Sequence, residues 1–467
     1  MKLYDTQSRG LKEVNLNGSE VRMYCCGPTV YGPAHIGNFR TFVLQDVMRR
    51  TLETGGMRTL HVRNITDVDD KTIRDSQKAG KSLTEFTAGW TKKFHADCEK
   101  LGLLPPHIEP GAVAHIPQQV AMIEALVAKG HAYASEDGSV YFNIASFPEY
   151  GKLSRLDERE IELGRTQSQR ANADEYEKQS VSDFVLWKSR RSEDGENFWA
   201  SPWGEGRPGW HLECSAMIRE YLGDSFDLHS GGVDLVFPHH ENEIAQSRCA
   251  CGGHFAHTWF HIAHLMVDGG KMSKSLGNLY TLADLAAKGY TPEEVRYVLT
   301  AAHYRAQLNF TFDSLDGARQ ALAKIARAER ALAARAGQDA APSYESLIGQ
   351  DPGPFAPAWT ALNHDLNTAE TLGHVFTALK ALKPDALTPP EALAAWRGLH
   401  LILAAFGIVL PQEKADEVPA EVRTVAEARW AARTAKDWAE SDRLRGELDA
   451  LGWTMKDGRE DYTLTRK

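Results

Sequence analysis

Between Val21 and Ile65 the sequence spells a strand, a loop punctuated by glycine and proline, a helix and a second strand. Val21–Cys25 and Thr59–Ile65 carry the β-branched and aromatic residues of strands, and Gly37–Glu53 reads as an amphipathic helix. This β-α-β order belongs to a parallel sheet with right-handed crossovers. Strand signals return at Ser225–Leu228 and Phe260–Val267, so the sheet is expected to be completed after an interruption. That interruption, about residues 115 to 200, holds a helix (Ile116–Lys129), a hairpin pattern (Tyr133–Ile144) and a polar stretch (Glu158–Ser182), and it reads as an insertion.

The chain has 467 residues, enough for about three domains at roughly 150 residues each, which excludes a single small binding module. From Ser314 onward Ala, Leu, Arg and Glu dominate, with breaks at Pro342, Pro352, Pro384 and Pro389, the pattern of a helical bundle. A last segment, Glu421–Lys467, carries a helix over Val422–Trp438, another over Ser441–Leu451 and a short strand-like end from Gly452. Lys and Arg number 53 against 63 Asp and Glu, a net charge of −10. A polyanionic partner must therefore meet local basic patches, expected on the segments after the sheet. Met1–Gly10 lacks the apolar core of a signal peptide, and eighteen apolar residues never run together. The expectation is a soluble, cytoplasmic protein without a membrane partner. Six cysteines in so long a chain make no disulfide framework and serve as thiols or metal ligands.

Several motif matches fail on context. Gly204, Gly206 and Gly209 fit G-x-G-x-x-G, but no strand leads in and Pro208 blocks the helix start. No phosphate loop of the G-x-x-x-x-G-K-[ST] type exists. His239 and Glu241 imitate the H-x-E of nucleobase deaminases, yet Cys249 and Cys251 are spaced C-x-C. The run His240–Ile244 lacks the second histidine of a zincin.

Two loops survive. Gly27-Pro28-Thr29-Val30-Tyr31-Gly32-Pro33-Ala34-His35-Ile36-Gly37-Asn38 joins a strand to a helix start, where backbone N–H groups suit phosphate and a histidine can donate to a developing oxyanion. Lys271-Met272-Ser273-Lys274-Ser275 follows a glycine turn and suits a mobile clamp on a pyrophosphate leaving group. Taken singly, each also reads as a packing turn or a solvated basic loop. Together they resemble the HIGH and KMSKS signatures of class I aminoacyl-tRNA synthetases, with Asn38 in place of the last histidine. Asparagine can still donate a hydrogen bond but carries no charge.

A third group concerns metal. Cys26, Cys214, His239 and Glu243 form a plausible Zn²⁺ set. His239 and Glu243 stand four apart on a helix expected to open at Pro238. By spacing alone His240 is as good a candidate. The stretches MYCCGPTVY, HVRNITDVDDK, DFVLWK, GRPGWHLECSAM, FPHHENEIAQS, KMSKSLGN, HYRAQLNF and AKDWAESDRLR are similar to those of the cysteinyl branch of the class I family. That resemblance implies Cys26, Cys214, His239 and Glu243 as the ligands of one zinc ion. It leaves Cys25, His240, Cys249 and Cys251 outside, with Cys25 on the opposite strand face from Cys26.

The resemblance implies more. The fold would be α/β, with a doubly wound, Rossmann-like catalytic domain (1–115 and 200–265) and an acceptor-end insertion (116–199). A KMSKS-bearing connective region (266–312), a helical bundle (313–410) and a small anticodon-binding domain (411–467) would follow. The reaction would join L-cysteine to ATP, with Mg²⁺, and then to tRNA-Cys, the enzyme acting as a monomer. His35 and Asn38 with Lys271 and Lys274 would be catalytic, Gly37 and Asp234 would also contact ATP, and Thr66, Trp210 and His229 would line the cysteine pocket. Arg433, Trp438, Asp442 and Asp457 are of types suited to anticodon bases, and Leu464 stands where the family usually has tryptophan. A hydrophobic pocket separates near-isosteres by only about 1–3 kcal/mol, whereas a metal selects a soft thiolate over a hydroxyl. Four protein ligands ordinarily mark a closed structural site, so the substrate sulfur must arrive as a fifth ligand or displace one. A structural zinc is the competing reading. Rival functions are a cysteine ligase of mycothiol synthesis, against which the C-terminal segment argues, and a non-catalytic zinc-stabilised RNA binder, against which the intact Lys271–Ser275 loop argues.

Overall fold

A short antiparallel hairpin, β1 (Lys2–Asp5) and β2 (Gly10–Glu13), precedes the first sheet strands, β3 (Glu20–Cys25) and β4 (Arg58–Arg63). The computed structural model describes residues 1–14, 20–156, 170–171, 182–272, 276–411, 419–458 and 461–466. Nearly all of Glu158–Ser182, and Ser273, Lys274 and Ser275, lie outside these residues. The described residues form two compact units, Met1–Leu410 and Pro411–Lys467.

In the first unit β3 continues into the Ile36–Thr54 helix, which returns the chain to β4 alongside β3 in parallel. The insertion then forms its own sheet from β5 (Ala132–Ala134), β6 (Val140–Phe142), β7 (Arg170–Ala171), β8 (Asp183–Ser189) and β9 (Gly206–Pro208). Because β9 pairs antiparallel with β8, that sheet reaches Pro208, beyond residue 199 where the insertion was expected to end. The chain re-enters the parallel sheet as β10 (Ser225–Gly232) and β11 (Phe255–Ile262), giving the order β11-β10-β3-β4. The order reverses between β3 and β10, and ligands of such sheets bind beyond the carboxyl ends of the strands at that reversal.

The expected single strand Phe260–Val267 is two. After Ile262 the backbone turns away, with Ala263 N–H donating to Tyr304 O at 3.0 Å or less (2.8 Å). Then β12 (Leu265–Val267) joins β13 (Gly270–Lys271) and β14 (Leu308–Phe310) in a separate sheet. A run of apolar residues does not show where a chain changes sheets.

Alternation along β3 divides the core. Met23 and Cys25 join the apolar cluster shared with the Ile36–Thr54 helix and the bundle, while Tyr24 and Cys26 join the one holding Leu212, Cys214 and Trp259. Cys25 and Cys26 thus face opposite sides of the sheet. The bundle includes the helices Phe312–Ala336 and Pro389–Phe406. A buried carboxylate of the sheet domain anchors Arg296, whose Nε donates to Phe406 O of the bundle at 2.6 Å. Asp46 accepts from Arg50 Nε at 2.7 Å, from Leu104 N at 2.8 Å and from Arg296.

In the second unit the helices run Ala420–Thr434 and Trp438–Ala450, where Val422–Trp438 and Ser441–Leu451 were expected. Lys436 adopts a left-handed φ of 62° and breaks the first helix. Asp437 then caps the second, its side chain accepting from Glu440 N. A hairpin, β15 (Trp453–Asp457) with β16 (Tyr462–Arg466), closes this unit over Val422, Ala426, Leu444 and Leu448.

Candidate active site and metal centre

Cys26 follows the last residue of β3, and its backbone N–H donates to Ser230 O of β10 at 3.0 Å, which fixes it at the point of reversal. Cys214 comes from the Trp210–Leu222 helix. His239 and Glu243 come from the helix that opens at Pro238, after the extended Phe237, and runs to Cys251; they stand four residues apart on one face, with Nε2 and Oε1 2.8 Å apart. Ligand atoms of Cys26, Cys214, His239 and Glu243 all lie within 4.8 Å of one another, and all four residues are buried. Zinc with bonds of about 2.0–2.3 Å would separate its ligands by roughly 3–4 Å.

A second overlapping group, Cys26, His229, His240 and Glu243, meets the same distance test. Its imidazoles are otherwise engaged. His229 Nε2 is 2.6 Å from Glu243 Oε2, and His240 Nε2 is 3.3 Å from Cys26 Sγ, so both hold the anionic ligands from behind. The charge state of the first group fits a cation. The hydrogen bond from the Cys26 thiol, with His239 nearby, brings Cys214 down to about 6 despite burial. Burial works to lower His239, but Glu243 and Cys214 push it up to about 10. Burial works to raise Glu243, but His229 and His239 hold it at about 2. A proton on His239 thus stands between a thiolate and a carboxylate where a divalent ion would supply the charge. The donor set fits zinc.

The two signature loops meet at Gly37 and Met272. His35 is the N-cap of the Ile36–Thr54 helix: its Nδ1 accepts from Asn38 N at 3.3 Å, and Asn38 Oδ1 accepts from His35 N at 3.1 Å. With Nδ1 accepting, a neutral imidazole carries its proton on Nε2 and can donate there. Ile36 N–H goes to Tyr280 O, just past the second signature. A Cβ on Gly37 would lie 2.9 Å from His35 Nδ1 and 3.1 Å from Met272 Sδ, so glycine allows the two loops to touch. Lys271 ends β13 and is exposed; Lys274 lies outside the described residues.

Trp210 stacks on His239, with centroids 4.5 Å apart at 30°. Thr66 is buried, its hydroxyl accepting from Asn64 Nδ2 at 3.0 Å while Asn64 Oδ1 accepts from Gly27 N at 2.8 Å, which ties it to the loop after Cys26. His229 is wholly buried against Trp259, centroids 4.7 Å apart, with its polar contact on Glu243. Asp234 is exposed just beyond the carboxyl end of β10.

A model of the family "tRNA synthetases class I (C) catalytic domain" matches residues 12–320. A cysteine--tRNA ligase of Opitutus terrae is 51% identical, covering 99% of this chain and 98% of its own. That of Solibacter usitatus is 44% identical over the full length of both chains, 100% of each. The chain belongs to the cysteinyl-tRNA synthetase family. Among solved structures, Mycobacterium tuberculosis methionyl-tRNA synthetase with methionyl-adenylate is similar at a TM-score of 0.59 and 12% identity, covering 83% of this chain and 90% of that one. Agrobacterium radiobacter K84 LeuRS in its ternary complex gives 0.58 at 11% identity over 84% of each. Both share the class I fold.

In the second unit Trp438 is 60% exposed. Asp442 is exposed, 3.5 Å from Arg445. Asp457 accepts from Arg433 Nη1 at 2.6 Å and from Arg429 at 2.6 and 3.1 Å, so two of the expected base-reading residues pair with each other. Pro411–Lys467 holds 11 Lys and Arg against 13 Asp and Glu. The unit therefore carries no net positive charge.

His211 was not singled out from the sequence. Its Nδ1 lies 3.0 Å from His239 Nδ1, so His239 turns Nε2 toward Glu243. The three-residue spacing of His211 and Cys214 on one helix was the available signal. No spacing pointed to His261 and Thr6, which come from strand β11 and from the turn after β1.

Proposed function

We propose that this chain activates L-cysteine with ATP and passes it to tRNA-Cys, with Cys26, Cys214, His239 and Glu243 holding a zinc ion that selects the amino acid. The convergence of these four donors at the reversal of a parallel sheet, where Cys26 leads directly into the first signature loop, carries the reading. When bound, the ion would accept the substrate sulfur as a thiolate, a soft ligand that the hydroxyl of serine does not imitate.

The chain's own groups do the rest. Trp210 walls the pocket over His239, Thr66 and the Cys26 loop close its floor, and His229 holds Glu243 in place. His35 Nε2–H donates to the α-phosphate as the cysteine carboxylate attacks, aided by the helix N-terminus behind it. Lys271 and Lys274 stabilise the departing pyrophosphate, Gly37 lets nucleotide approach the backbone, and Asp234 takes the ribose. Asn38 acts by capping, holding the His35 tautomer. ATP arrives with Mg²⁺, and anticodon bases meet Trp438 by stacking and Arg433, Asp442 and Asp457 at their edges. The six cysteines are unpaired, which suits a reducing cytoplasm, where the enzyme acts as a monomer.

Cysteine-dependent pyrophosphate exchange followed by charging of tRNA-Cys tests the proposal. Both are expected. Exchange without charging would favour the ligase that joins cysteine to an amino sugar, and the absence of both would remove the enzymatic reading.

A further inference from the structure

Behind the four-donor cluster a line of buried contacts runs away from the substrate side. Cys26 Sγ is 3.3 Å from His240 Nε2, His240 Nδ1 is 2.7 Å from His261 Nε2, and His261 Nδ1 is 2.7 Å from Thr6 Oγ1. All four side chains are buried. They come from four separate places: the loop after β3, the helical run after β10, strand β11 and the turn of the N-terminal hairpin.

The line is built to hold its geometry. A Cβ on Gly231 would sit 2.8 Å from His240 Cε1, so the ring fills space that only glycine leaves. Trp259 lies parallel to His261, 4° between planes, and tilted against His240. Thr6 is pinned to the same strand: its N–H donates to Trp259 O at 3.0 Å, and Asp5 Oδ1 accepts from Trp259 N at 2.9 Å.

We propose that Thr6 is a positioning residue for the metal ligand Cys26, acting through His261 and His240. This rests on the zinc reading above. A Cys26 thiolate on a metal can only accept, so His240 Nε2 donates to it. Neutral His240 then presents an unprotonated Nδ1, which accepts from His261 Nε2–H. His261 Nδ1 is left as an acceptor, and the Thr6 hydroxyl supplies the one donor that completes the sequence. Without that hydroxyl, the His261 tautomer with its proton on Nε2 loses one of the two contacts that favour it. The opposite tautomer sets two acceptor nitrogens face to face unless His240 moves its own proton to Nδ1, and that move takes the hydrogen bond from the Cys26 sulfur. The sulfur then loses the contact that fixes its direction and tempers its charge.

The test uses the full chain loaded with cobalt(II), as wild type, Thr6→Val and Thr6→Ser. Valine keeps the shape and removes the donor; serine restores it. Thr6→Val is expected to shift the thiolate-to-cobalt charge-transfer band and to speed metal release to a chelator roughly tenfold. It should raise KM for cysteine while leaving KM for ATP in place, and Thr6→Ser should resemble wild type in each respect. Band position and release rate unchanged in Thr6→Val would overturn the proposal, as would a serine variant that behaves like valine. Cys26→Ser separates the two levels. If it keeps both the metal and the wild-type spectrum, the zinc reading itself fails; if it loses them while Thr6→Val changes nothing, only the role of Thr6 fails.

Discussion

His229 Nε2 and Glu243 Oε2 meet at 2.6 Å with both side chains wholly buried, which leaves Glu243 Oε1 facing His239 Nε2. One carboxylate thus spans two spheres, held on one oxygen and offered on the other. Partners of this kind typically contribute 10–100-fold to metal affinity or activity. His229→Ala is expected to lose about that much zinc affinity, read by chelator competition, and to slow cysteine-dependent exchange comparably. An unchanged affinity would contradict the assignment.

The two overlapping donor groups differ in Cys214 and His239 against His229 and His240. Cys214→Ser should therefore lose stoichiometric zinc, measured by elemental analysis after dialysis, whereas His240→Asn should retain it. The reverse pattern would move the ion to the second group.

Gly37→Ala should leave the thermal midpoint near that of the wild type and slow adenylate formation. Its new Cβ would meet His35 Nδ1 at 2.9 Å and Met272 Sδ at 3.1 Å, in the part-exposed first turn of the Ile36–Thr54 helix, where these two side chains must give way. A displacement of about 1 Å at such a group can cost roughly 100-fold. Pyrophosphate exchange at saturating cysteine and ATP reads the effect, and an unchanged rate would show that His35 need not be held where it is.

Asp46 carries a pH dependence of stability. Burial works to raise its pKa, but the guanidinium groups of Arg296 and Arg50 outweigh it and hold the carboxylate below its ordinary range. A depressed carboxylate contributes its stability above the unfolded pKa and loses it as pH falls through the folded value. Stability from this site is therefore complete at neutral pH and declines below about pH 4. Asp46→Asn, which leaves buried cations without their partner, should cost about 3–5 kcal/mol at neutral pH. Denaturant titration should show that loss, together with a weaker dependence on acid.

What the sequence revealed follows from how local each signal is. The β3-helix-β4 unit was legible to within a residue or two because its periodicity and its glycine-proline loop are contiguous. The split of Phe260–Val267 was not, because both halves are apolar and only distant partners, Ser225–Gly232 for one and Leu308–Phe310 for the other, distinguish them. The break before Trp438 depends on a left-handed Lys436, a residue type that does not announce such a turn. At the site, the four donors stood out by chemistry and by resemblance. Their supports did not, since His211, His261 and Thr6 are brought in by tertiary packing.

The central claim is that the four-donor site recognises cysteine through its sulfur. X-ray absorption at the zinc edge, on the zinc-loaded protein with and without amino acid, tests it most directly. Saturating cysteine should raise the number of sulfur neighbours at about 2.3 Å from two to three, and serine should leave it at two. A sulfur count unchanged by cysteine would contradict direct recognition and make the ion a structural one.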